Sequence, residues 1–176
     1  LESRKLLSLT PELVADVNER AVISAPGEFL TIGDTAYFMA DSAEEGQELW
    51  RSDGTPEGTR LVKDIRVGPE DSSPRELTNF NGLLYFSAED AHSNRELWVS
   101  DGTEDGTFLL KEIRNGSWDG SYPSDLTVVG DKLFFEARGP QGSRLWKTDG
   151  TEWGTTQVSG GVPENTPIYP TELTDV

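Results

Sequence analysis

Apolar residues along this chain come in short runs of four to seven, broken at close intervals by Gly, Pro, Asn and Asp. Residues 59–65, 75–79, 83–88 and 96–100 are such runs, rich in Val, Ile, Leu, Phe, Tyr, Trp and Thr. Runs of this length and composition predict β-strands. No ten-residue segment keeps a 3.6-residue period without interruption, which disfavours helices. The one segment that reads otherwise is 10–20, where Pro11 can open a short helix, yet it aligns with later strands. Gly33-Asp34, Asn81-Gly82 and Gly130-Asp131 sit between paired runs and supply the positive backbone angles of tight hairpins.

The pattern repeats. Trp50, Trp98 and Trp146 are spaced 48 residues apart within the phrases Glu48-Leu49-Trp50-Arg51-Ser52-Asp53-Gly54-Thr55, Glu96-Leu97-Trp98-Val99-Ser100-Asp101-Gly102-Thr103 and Arg144-Leu145-Trp146-Lys147-Thr148-Asp149-Gly150-Thr151. Tyr37-Phe38, Tyr85-Phe86 and Phe134-Phe135 keep step, as do Leu61-Val62-Lys63-Asp64-Ile65 and Leu109-Leu110-Lys111-Glu112-Ile113, with an earlier copy at Leu13-Val14-Ala15-Asp16-Val17. Pro26, Pro74, Pro123 and Pro170 mark the intervals between units. A fixed period of this size marks a small unit that buries its apolar face only against copies of itself.

Four strands per 48 residues predict an all-β fold, a β-propeller-like array of four-stranded antiparallel blades. The whole chain, 1–176, reads as one repeat domain with units at about 13–60, 61–108 and 109–155, and a partial unit at 156–176 that residues 1–12 can complete. Closed propellers need about four to eight blades. Four arrangements stay open: a four-bladed ring completed by the N-terminal strand, a piece of a longer propeller, two joined half-rings, or an open array with pairing edges. Trp50, Trp98 and Trp146 are expected in the packing between blades, with the Tyr-Phe pairs. Asp53, Asp101 and Asp149 are expected to accept local backbone N–H bonds and hold loop shape.

These phrases, followed by Gly58-Thr59 and Gly106-Thr107 and by Leu-Val-Lys-Asp-Ile-like strands, resemble the bacterial ELWxxDGT repeat family over nearly the whole chain. The resemblance implies a large secreted or surface protein assembled from such repeats. The third copy departs, with Arg144 for the glutamate and Thr148 for the serine.

Charge narrows the partners. With 32 acidic and 15 basic side chains the net charge is −17, which disfavours nucleic acid and anionic lipid and leaves cationic partners or divalent ions. The chain has no cysteine, hence no disulfide, and no apolar run approaches the ~20 residues needed to span a bilayer. Catalysis finds little support. A carboxylate pair or a triad breaks the repeat, whereas these acids follow it, and His92, the only histidine, lies in a polar loop. The acidic loops containing Asp41, Glu44, Glu45, Glu89 and Asp90 offer hard oxygen ligands for Ca²⁺, without EF-hand spacing. Trp118, Tyr122 and Trp153 escape the repeat in predicted loops, where exposed aromatics stack on sugars or anchor a partner. The expected role is a non-catalytic structural or protein-interaction module of a bacterial extracellular or cell-surface protein, self-assembling or bound to a surface partner. The alternative is a carbohydrate- or calcium-dependent adhesive domain.

Overall fold

A computed structural model of the chain describes residues 28–114 and 120–159. These form twelve strands and no helix, in three sheets taken in chain order. The first sheet contains β1 (Phe29–Ile32), β2 (Thr35–Ser42), β3 (Gly46–Ser52) and β4 (Arg60–Lys63). The second contains β5 (Arg75–Phe80), β6 (Leu83–Glu89), β7 (Arg95–Ser100) and β8 (Phe108–Lys111). The third contains β9 (Ser124–Val129), β10 (Lys132–Gly139), β11 (Gly142–Thr148) and β12 (Thr156–Gln157). Every pairing is antiparallel between chain neighbours.

The repeat length read from the sequence holds, but its phase is corrected. The strand over 59–65, read as the first of its unit, instead closes the preceding sheet as β4, with Leu61 opposite Trp50. Units cut at 13–60, 61–108 and 109–155 therefore straddle sheets, whose true divisions fall in the connections after β4 and β8. A period fixes the length of a unit and leaves its starting point free. Most of the partial unit, and all of residues 1–12, lie outside the described residues.

Hairpin turns set the register. At Asn81 and Gly82 both φ angles are positive, 55° and 81°, as the tight turn between β5 and β6 requires. The matching turns carry Gly33 and Gly130 with φ of 58° and 60°. With register fixed, Phe38 lies opposite Trp50, Phe86 opposite Trp98 and Phe135 opposite Trp146. Successive strand residues point to opposite faces, so each Tyr-Phe and Leu-Trp pair sends one member to each side of its sheet.

Both faces of the middle sheet are covered. Leu84, Phe86 and Trp98 pack with Tyr37, Leu49 and Val62 of the first sheet. Phe80, Tyr85 and Leu97 pack with Leu133, Phe135 and Trp146 of the third. All six residues of β7 are buried in consequence, while β10 alternates buried and partly exposed positions. Strand β1 lies beside β5, and β5 beside β9.

Polar contacts repeat across the two interfaces. The Nη1 of Arg51 donates to the Gly102 carbonyl (3.1 Å), and the Nζ of Lys63 to the Thr107 carbonyl (3.0 Å). Lys111 reaches the Glu152 carbonyl (3.1 Å) one sheet further on. Glu28 and Glu76 each accept an N–H from the next sheet's first strand, that of Glu76 and of Asp125, both at 3.0 Å. Tyr37 places its hydroxyl against Gly102 and Tyr85 against Gly150, so closely that a Cβ at either glycine would lie 2.4 Å or 2.8 Å from it.

Candidate functional site

The polar residues most tightly held are the glutamates of the repeated phrase. Glu48 is fully buried on β3. Its carboxylate accepts the N–H groups of Ile65 (3.3 Å), Arg66 (3.3 Å) and Ser72 (3.2 Å), and the Ser72 hydroxyl. Glu96 on β7 repeats this with Ile113 N (3.4 Å), Ser121 N (3.0 Å) and the Ser121 hydroxyl. One carboxylate thus folds the connection that leaves each of the first two sheets back onto that sheet. Burial raises the Glu48 pKa to about 7, against the opposing pull of these hydrogen bonds, and raises that of Glu96 for the same reason.

The same connection also grips the next sheet. Glu89 N donates to the Ser72 carbonyl (2.8 Å) and Arg138 N to the Ser121 carbonyl (2.7 Å). Ser73 and Tyr122, each next before a proline, take φ of 46° and 50°. This conformation is costly for residues with a side chain. Because both copies share it, the strain belongs to the connection.

The Asp-Gly-Thr loops occupy the opposite end of the sheets, since the antiparallel order alternates the ends at which strands are joined. In each loop the aspartate Oδ1 accepts the N–H and the hydroxyl of the threonine two residues on, at 2.6–3.0 Å for Asp53, Asp101 and Asp149 alike. These bonds lower all three aspartate pKa values. The threonine hydroxyl then accepts the N–H of Gly58, Gly106 or Gly154. The loop-holding role expected of these aspartates is present in every copy.

The tryptophans divide. Trp98 and Trp146 are buried between sheets, as expected. Trp50 is only partly buried, on the outward face of the first sheet, where no described strand packs against it. The three indole Nε1 atoms are buried without a hydrogen-bond partner among the described residues.

The residues singled out for ligands are not gathered. Trp118 lies outside the described residues. Tyr122 is exposed at the connection end, with the Arg138 guanidinium 5.8 Å above its ring. Trp153 is 91% exposed in the Asp-Gly-Thr loop of the third sheet, at the other end.

The acidic loops are already engaged. Asp41 accepts from the Gln47 amide (3.3 Å), and Glu45 pairs with the Ser42 hydroxyl, while Glu44 is exposed. Glu89 is held between Arg95 (3.0 Å) and Arg66 (3.4 Å), and Asp90 accepts the N–H groups of His92 and Asn94. Among the described residues no three acidic or His side chains are grouped to hold a metal ion.

Sequence reasoning missed the clasp formed by Glu48 with Ser72 and by Glu96 with Ser121. Its trace is a glutamate inside an apolar strand, matched by a serine 24 or 25 residues later. In the third copy Arg144 stands in that place and its Nη1 donates to the Ser143 carbonyl (2.8 Å). No described helix is long and apolar enough to cross a membrane. Compared with protein-family models, curated proteins and solved structures, the chain matches none.

Proposed function

We propose that the chain is a non-catalytic structural and protein-interaction module, built of β-propeller-type blades, from a bacterial extracellular or cell-surface protein of the ELWxxDGT repeat kind. One observation carries the reading: the repeated charged residues are consumed in holding loops, connections and neighbouring sheets in place. The carboxylates that recur with the repeat, Glu48, Glu96, Asp53, Asp101 and Asp149, are each bound to backbone N–H groups. The propeller part is supported by consecutive four-stranded antiparallel sheets whose first strands lie side by side and whose middle member is covered on both faces. The test is a panel of glycosides, esters and phosphoesters. No turnover above buffer is expected, and turnover abolished by Glu48→Gln would overturn the reading.

The exposed indole of Trp153 favours a second reading, a carbohydrate- or calcium-dependent adhesive domain. It predicts glycan-array binding lost in Trp153→Ala at unchanged melting temperature, or a melting temperature raised by calcium and lowered by a chelator. A null result in both assays removes it.

A further inference from the structure

The outward faces of the first and third sheets are the two halves of an interface the chain already makes twice. On the outward face of the third sheet, Val129, Phe134 and Leu145 occupy the positions of Phe80, Tyr85 and Leu97, which fill the joint between the second and third sheets. On the outward face of the first, Phe29, Phe38 and Trp50 occupy the positions of Leu77, Phe86 and Trp98, which fill the joint between the first and second. Phe29 and Val129 are 58% and 46% exposed, while Phe38, stacked beneath Phe29, is buried at 8%.

The receiving loop is vacant as well. A Cβ at Gly102 or Gly150 meets a tyrosine hydroxyl of the preceding sheet, whereas one at Gly54 meets nothing within 4 Å. We propose that a second copy of this chain seats head to tail, the outward face of its third sheet, with Phe134, against the outward face of the first sheet, with Trp50 and Gly54. The same contact made twice joins two copies in a two-fold ring. The described residues of such a ring form six sheets, inside the ~4–8 range of closed propellers.

Residues 1–27 and 160–176 of each copy lie outside the described residues. Residues 1–27 contain no aromatic side chain, and 160–176 contain only Tyr169. Both existing joints are filled from each side by aromatic and Leu side chains. The inference rests on the interaction-module reading and names its partner and its surface.

Sedimentation equilibrium on the full chain tests it. Wild type is expected at twice the 19.4 kDa chain mass. Phe29→Asp and Val129→Asp change exposed positions, one on each outward face. Each variant alone is expected to be monomeric with its β-sheet circular-dichroism spectrum retained, because both contacts of the ring use both faces. An equimolar mixture is expected to regain a dimer through its one undamaged contact. A monomeric wild type, its faces covered by its own residues 1–27 and 160–176, overturns the proposal and needs no variant to fold. So does a variant that dimerises alone, or a mixture that stays monomeric. A monomer without turnover leaves the interaction-module reading standing, so the two failures are distinguishable.

Discussion

At Glu48 a single carboxylate links the pH of the solution to the joint between strand and connection. Its folded pKa is about 7 against an ordinary 4.5, so the folded state holds this proton more tightly than the unfolded chain. The contribution to stability is complete below about 4.5 and is lost as pH rises toward about 7, with Glu96 acting in the same direction. Asp53, Asp101 and Asp149 work oppositely. Their lowered pKa values give stability above the ordinary aspartate range that is lost as pH falls through the folded values. Urea midpoints measured from pH 4 to 8 should therefore decline over the upper part of the range. In Glu48→Ala that decline should be shallower, and stability should drop by about 2–3 kcal/mol because buried N–H groups lose their acceptor. A pH slope identical to wild type would show that the carboxylate is not buried.

Trp98 allows a second comparison at this scale. Truncation to Ala empties a joint between sheets and should cost about 3–5 kcal/mol. Trp98→Phe should cost much less, because the indole N–H it removes has no partner among the described residues. Equal losses in thermal melts would assign the N–H a bond.

Among the elements, the Asp-Gly-Thr loop is where local sequence dictates local shape. A Cβ at Gly106 would lie 2.1 Å from Asp101 Oδ1, so Gly106→Ala forces the carboxylate away from Thr103. A loss of about 1–3 kcal/mol in denaturant titration is expected, as for other enforced overpacking. Such loops, and the hairpins at Asn81-Gly82 and Gly130-Asp131, are legible in sequence because partners two to five residues apart meet regardless of the rest of the fold. The Glu48–Ser72 clasp was not. Its partners are 24 residues apart, and only the return of the connection onto β3 brings them together.

Across the whole molecule, protection should follow the sandwiching of the sheets. The amides of β6 and β7, in the sheet covered on both faces, should exchange slowest with deuterium, and those of β1 and β12, at sheet edges, fastest. Uniform exchange across the three sheets would contradict the two joints. Each chain carries a net charge of −17, so association of copies through apolar faces should tighten as salt screens their repulsion. Sedimentation at low and high ionic strength reads this directly.

The amino-acid sequence by itself determined the strands, the turns, the period of 48 and the members of each aromatic pair, because alternation and turn chemistry act over a few residues. Only the tertiary structure decided where a unit begins, since sequence alone allows β4 to join either neighbour and hydrogen bonds place it on β3. It also separated Trp98 and Trp146, enclosed between sheets, from Trp50, which occupies the same place in the phrase on an outward face. Identical residues differ there because burial depends on what packs opposite, and that neighbour is set by the order of sheets in space.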